Sequence, residues 1–196
     1  MRTWKINLGL ILLLVCSSLT TVHAQKGSLM LYGSLTYKDN NNTGSTFAAN
    51  PIGVGYFFND HVVAGMNFAF DEEKNATGNL TDSKREIGPF YSDSWNIGEH
   101  FAIIAQVDAH YVWGTTLMNT PGSYNYDGYL GRIYPIVAVF LGHGWALKAK
   151  FFELSYEKTT GDDSNRTSNK TFIAGINGST FGLGVSKNIS LKRTKQ

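Results

Sequence analysis

Beyond residue 24 the chain alternates apolar and polar positions with a period of two, and it does so eight times. Leu29, Leu31, Leu35 and Tyr37 share one face of the first segment, with Ser34 and Thr36 on the other. A second segment covers residues 46–58. In the third, over 61–70, Val62, Ala64, Met66, Phe68 and Phe70 alternate with Gly65, Asn67 and Ala69. The fourth covers 84–92. The fifth is the clearest: Phe101, Ile103, Ala105, Val107, Ala109 and Tyr111 oppose Gln106, Asp108 and His110. A sixth spans 126–141, a seventh starts at Trp145, and an eighth spans 170–189. Successive side chains of a β-strand point to opposite faces, so one rule accounts for all eight. No long stretch after residue 24 repeats at the 3.6 residues of a helix.

Two segments change phase. Polar residues of the seventh sit at even positions through Lys150, then at odd positions at Glu153, Ser155 and Glu157. In the eighth, Phe172, Ala174 and Ile176 give way to Phe181, Leu183 and Val185. One extra residue in a β-bulge switches faces in this way, and Asn177-Gly178 is the expected place for it in the eighth. The alternative there is two shorter strands. Connections between segments are sorted by length. Residues 38–45, 71–83, 113–125 and 159–169 form long polar ones, and 59–60, 93–98 and 142–144 form short ones, in strict alternation. Short turns at one end and longer loops at the other, with an even strand number, characterise a transmembrane β-barrel.

Aromatic residues follow the same division. Tyr56, Phe57, Phe58, Trp95, Phe101, Phe140 and Trp145 lie near the short turns, as expected of a girdle where a barrel meets an interface. Tyr37, Phe70, Tyr111, Trp113 and Tyr156 lie near the long connections and suit a second girdle.

Several short motifs carry a resemblance. Val54-Gly55-Tyr56-Phe57 and Val137-Ala138-Val139-Phe140 each end a segment before a tight turn, and Val62-Val63-Ala64-Gly65 and Trp145-Ala146-Leu147-Lys148 follow. With Ile87-Gly88-Pro89-Phe90-Tyr91 and Ser179-Thr180-Phe181-Gly182-Leu183-Gly184, the order of segments resembles the small outer-membrane β-barrel family, the OmpA/OmpX-like barrels. The resemblance implies an all-β fold, an eight-stranded antiparallel up-and-down transmembrane β-barrel over residues 25–196, without a general catalytic signature. The chain departs from that pattern at its end. Val185-Ser186-Lys187-Asn188-Ile189 runs into a basic tail over 191–196, where such barrels commonly finish on an aromatic residue.

Composition sharpens the destination. Residues 1–24 read as a secretory signal peptide: Arg2 and Lys5 precede an apolar run, and Val22-His23-Ala24 ends in small residues. Of the 17 basic and 15 acidic residues the signal carries two basic ones, so the remainder is formally neutral and offers no bulk charge to nucleic acid. Charged residues are only 16% of the chain, against 13% aromatics and 21 glycines, which favours strands over a soluble helical domain. The one cysteine, Cys16, lies inside the signal, which excludes disulfides and thiolate chemistry from the mature protein. Val15 before it does not fit a lipidation motif.

An outer-membrane barrel would turn Leu29, Leu31, Val62, Ala64 and Phe101 toward lipid, along with Ile103, Ala105, Val107 and Leu147. The opposite face would carry Glu86, Asp108, His110, Arg132, Lys148, Lys150 and Glu153, a mixed-sign set expected to neutralise itself in a packed lumen, since isolated buried charges are costly. Arg85 competes with Glu86 for that face. Lys148, Lys150 and Arg132 are the expected partners of Asp108, Glu153 and Glu86. No catalytic set, cofactor or metal site is expected. His110 beside Asp108 is a weak catalytic pair, and Asp71-Glu72-Glu73 and Asp162-Asp163 lack calcium-loop spacing. Asn75-Ala76-Thr77 and Asn165-Arg166-Thr167 read as polar loop sequence. The expected function is a monomeric structural or surface-interaction barrel of the cell outer membrane. Its partners are membrane lipid and a ligand or surface partner at four polar extracellular loops. The alternatives are a narrow solute channel, a lipid-directed acyl hydrolase, and a soluble lipocalin-like carrier with its apolar face turned inward.

Overall fold

The structure, a computed structural model, describes residues 26–40, 44–76, 79–117, 123–162, 168–176 and 182–191. The signal segment 1–24 with Cys16, the pair Asn177-Gly178, Phe181, the Asn165 triplet and the tail from residue 192 lie outside the described residues. Every described element is a strand: β1 (Ser28–Gly33), β2 (Leu35–Asn40), β3 (Gly44–Phe57), β4 (Val62–Lys74), β5 (Leu80–Ile97), β6 (Phe101–Leu117), β7 (Ser123–Gly142), β8 (Trp145–Lys150), β9 (Glu153–Gly161), β10 (Ser168–Gly175) and β11 (Gly182–Ser190). All pairings are antiparallel, and the sheet closes on itself. The ring runs β1-β3-β4-β5-β6-β7-β8-β11 and returns to β1, through eight strands. The seal is the β1–β11 ladder, Ser28↔Ser190 to Gly33↔Val185. Toward the other end β7 pairs with β9, β9 with β10, and β3 with β2. No ladder joins β2 to β10 among the described residues.

Three expected segments are thus split, and register arithmetic explains two of the breaks. From Lys150↔Ile136 to Leu154↔Ile133 the chain takes four steps while β7 takes three. The extra residue sits at Phe151-Phe152, and it rotates the outward positions from Leu147 to Leu154 and Tyr156. Pro135, which has no N–H to donate, lies in β7 where this ladder is interrupted. In β3 the step from Ala49 to Ile52 is three residues against two in β4, and Pro51 sits inside that bulge. Gly175 faces Glu153 and Gly182 faces Lys150, seven steps against three, so the eighth segment is two strands. That is the second of the two readings of this segment, and Asn177-Gly178 itself lies outside the described residues.

The long connections are mostly strand as well. β4 continues through Asp71-Glu72-Glu73 to Lys74 and β5 already starts at Leu80, where a loop over 71–83 was expected. Likewise β6 reaches Leu117 and β7 begins at Ser123. Both faces are polar there, so no alternation betrays the strand, yet backbone pairing is indifferent to side-chain polarity. At the opposite end the turns are tight. Asn59 Oδ1 accepts from the amides of His61 and Val62 at 2.9 and 2.7 Å. His143-Gly144 joins β7 to β8 with φ of 52° and 79°, the left-handed pair of a two-residue hairpin turn.

Curvature has one visible cause. Gly55 and Gly65 face each other across β3–β4, and Phe90 is in register with Gly65. A Cβ on Gly65 would stand 2.0 Å from the Val54 carbonyl oxygen, and one on Gly55 would meet the Phe90 ring at 2.8 Å. The ring of Phe90 occupies the space that two absent side chains leave. It packs there with Met30, Phe57 and Val63, all buried.

Candidate functional site: a buried polar belt

Side-chain polarity is inverted relative to a soluble protein. Outward lie Leu31, Val54, Met66, Ile103, Val107, Ile133 and Leu147, each between 43% and 50% exposed. Inward, Asn67, Gln106, Asp108 and His110 are 3% exposed or less. Leu29 and Ala64 share rungs with outward Tyr56, and Val62 and Ala105 share one through Asp93, two residues from outward Tyr91 and Trp95, so all four face the same way. Arg85 is exposed and Glu86 is buried, which resolves the choice between them.

The belt is built from five strands, β1 and β4 to β7. Arg132 of β7 places Nη2 2.9 Å from Glu86 Oε2 of β5 and 3.5 Å from Asp108 Oδ2 of β6. The same Nη2 lies 2.9 Å from His110 Nδ1, which is 3.0 Å from Glu86 Oε2. His110 Nε2 contacts Asn67 Oδ1 of β4. Both ring nitrogens of His110 are thus engaged, Nε2 by Asn67 and Nδ1 by Arg132 and Glu86. Asp108 is further bound by Tyr134, whose hydroxyl donates to Oδ2 at 2.8 Å, and by Gln106, whose amide donates to Oδ1 at 2.9 Å. Asn67 in turn donates to the Tyr32 hydroxyl at 2.8 Å. A charge removed from water in this way is tolerated because most of the lone pairs and protons are met, Arg132 Nε being the belt atom left buried without a partner among the described residues.

Above the belt Lys84 bridges Glu86 and Glu157, at 3.3 and 2.5 Å. Lys150 meets Glu153 at 2.8 Å across the β8–β9 bulge and lies 5.1 Å over the Tyr134 ring. Lys148 departs from expectation. Its ammonium reaches Met30 Sδ at 3.1 Å and the Tyr32 ring at 5.2 Å, and among the described residues it makes no ion pair with a carboxylate. Its place on β8 sets it between Met30 of the apolar cluster and Tyr32 at the edge of the belt. Lys84, Glu157, Asn67, Tyr32, Gln106 and Tyr134 were not anticipated as members of the network. Only the polar-phase positions of Asn67 and Gln106 signalled them.

Along its axis the interior has three levels. Nearest the tight turns it is apolar, with Met30, Phe57, Val63 and Phe90 beside Ala102, Ile104, Ile136 and Ala138. The belt lies next. Beyond it a cavity of about 200 Å³, lined by Lys84, Glu86, Arg132, Glu153 and Glu157 among others, adjoins a polar vestibule of about 440 Å³ at the far end. Among the described residues no group of His, Cys, Asp and Glu is arranged to hold a metal ion.

Of the expected girdle, Tyr56, Trp95, Phe101 and Trp145 are exposed on the outer face. Phe57 and Phe140 are corrections. Phe57 is 5% exposed and packs inside against Met30, and Phe140 packs on the inner cluster around Ala138. Alternation demands this, because Tyr56 and Phe58, the neighbours of Phe57, both point outward. At the other end Tyr111 stacks on Trp113 with ring centroids 5.8 Å apart.

No protein-family model matches the chain, and no curated protein is significantly similar to it in sequence. Among solved structures it is similar to the N-terminal β-barrel domain of Pseudomonas aeruginosa OprF. Identity is 14% and the TM-score 0.48, over 84% of this chain and 98% of that one. A likeness that distant bears no weight on function.

Proposed function

We propose that the chain is an integral outer-membrane β-barrel, with a structural or surface-interaction role and without enzymatic activity. One observation carries this reading. The closed sheet buries its charged and amide side chains inside and leaves a continuous apolar exterior, which water would penalise and a lipid bilayer would not. A lipocalin-like carrier needs the reverse arrangement. The basic, apolar and small-residue order of residues 1–24 supports export. Two interior layers, apolar below and hydrogen-bonded above, set packed side chains across the lumen, which weighs against the channel alternative. His110 is committed to Asn67, Arg132 and Glu86 and has no hydroxyl nucleophile among its hydrogen-bond partners, which weighs against the acyl hydrolase. What remains for partners is the polar far end, with its vestibule.

Fractionation tests the membrane reading. Native membranes washed with high salt and alkaline carbonate should retain the protein. Quantitative release into the wash would overturn it.

A further inference from the structure

The apolar exterior is dented along the seam where β1, β11 and β8 meet. A groove of about 670 Å³ is walled there by Leu31, Ile52, Leu147, Leu183 and Val185. Its depth comes from Gly33, which shares a rung with outward-facing Val185 and contributes no side chain. A Cβ at Gly33 would come 3.2 Å from Ile52 Cγ1.

The foot of the groove has a different chemistry. Lys187 and Trp145 are ladder partners at the tight-turn rim, and Lys187 Nζ lies 4.8 Å over the Trp145 ring. The same ammonium donates to the His143 carbonyl at 2.5 Å, a carbonyl oriented by the left-handed turn. An ammonium has three protons to donate, so two remain for an anion. Indole and ammonium at one level, above an apolar wall, are the groups that anchor at a membrane interface. From Lys187 to Leu183 is four strand steps, roughly 13 Å, close to the ~15 Å depth of one leaflet.

We propose that this groove binds one anionic phospholipid of the leaflet at the tight-turn rim, with an acyl chain along the seam and the phosphate on Lys187. The proposal rests on the membrane reading above. A second copy docked by this face in the same membrane would bring its own Lys187 to the same level, like charge against like, whereas an anionic headgroup complements it.

Native mass spectrometry of the full chain, extracted in mild detergent and mixed with equal phosphatidylglycerol and phosphatidylethanolamine of matched chains, tests the site. The phosphatidylglycerol adduct should exceed the other about fivefold, the worth of one lysine beside an anionic headgroup. Lys187→Gln should equalise the two adducts. Gly33→Leu, which fills the groove, should diminish both, and Leu183→Trp on the groove wall repeats that test without altering a glycine. Equal adducts on the unaltered protein, selectivity that survives Lys187→Gln, or a two-chain mass in place of lipid adducts would each overturn the proposal. Carbonate release overturns the membrane reading; retention in the membrane without lipid selectivity overturns the lipid site alone.

Discussion

Lys148 and Lys150 lie two residues apart on β8, and the interior treats them differently. Lys150 holds Glu153 at 2.8 Å, so Lys150→Met leaves a carboxylate without its partner. With the 200 Å³ cavity beside it, that loss should cost about 2–3 kcal/mol, the scale of a hydrogen bond to a charged group. Among the described residues Lys148 has only a thioether and an aromatic face for its charge. Lys148→Met should therefore be stabilising by about 1–4 kcal/mol, as when buried ionic groups give way to apolar ones of similar size. Urea unfolding of the refolded barrel, followed by its mobility on unheated gels, should show midpoints moving in opposite directions. Glycines divide in the same way. Gly65→Ala drives a methyl against the Val54 carbonyl oxygen and the Phe90 ring and should cost ~3 kcal/mol or more, the upper end for overpacking. Gly131 has no atom within 4 Å of its missing Cβ. Gly131→Ala should be neutral or stabilising by up to ~1 kcal/mol through the unfolded chain, and a matched loss at both positions would argue against the Gly55–Gly65–Phe90 contact as the cause.

At the scale of the strand, a single residue sets which face is which. Deleting Phe151 removes the bulge between β8 and β9 and rotates everything beyond it by one position. Glu153, Ser155 and Glu157 would turn to the apolar exterior, and Leu154 and Tyr156 would turn into the polar lumen. The deletion should abolish refolding to the heat-modifiable form, whereas deleting Ala76 from the connection after β4 should leave the refolded yield near that of the parent. This bulge was legible, because polar positions changed from even to odd between Lys150 and Glu153. Strands were legible wherever one face is apolar and the other polar, as over Phe101–Tyr111. They were not where both faces are polar, as at Asp71–Lys74, since the ladder there leaves no mark on side-chain choice. The bulge at Pro51 passed unnoticed for a related reason, because it sits where alanines and a glycine leave the phase weakly marked.

For the whole molecule, what periodicity could reveal was which face a residue occupies, and what it could not was the residue across the ring. Asp108 and His110 share a face by their spacing. Lys84 and Glu157 are 73 positions apart and meet only because the sheet from β5 through β6 and β7 curls far enough to bring β9 across from β5. Phe57 shows the converse: proximity to a turn suggested the interface, and its phase sends it inside. The stacked interior also makes a prediction about transport. Refolded protein in a planar bilayer should show no unitary conductance, and reproducible steps would mean that the belt and the apolar cluster part to admit ions. Closure has a consequence in time as well as in space. Ladders from β3 through β7 join elements that follow one another along the chain, so each can form as its second partner arrives. The β1–β11 ladder instead joins Ser28 to Ser190, and forming it first would cost roughly 4–5 kcal/mol of loop-closure entropy. Sealing is therefore the final event of assembly. Every earlier intermediate carries two rows of unmet amides and carbonyls, which water or a helper chain must occupy until the two ends of the sheet find each other.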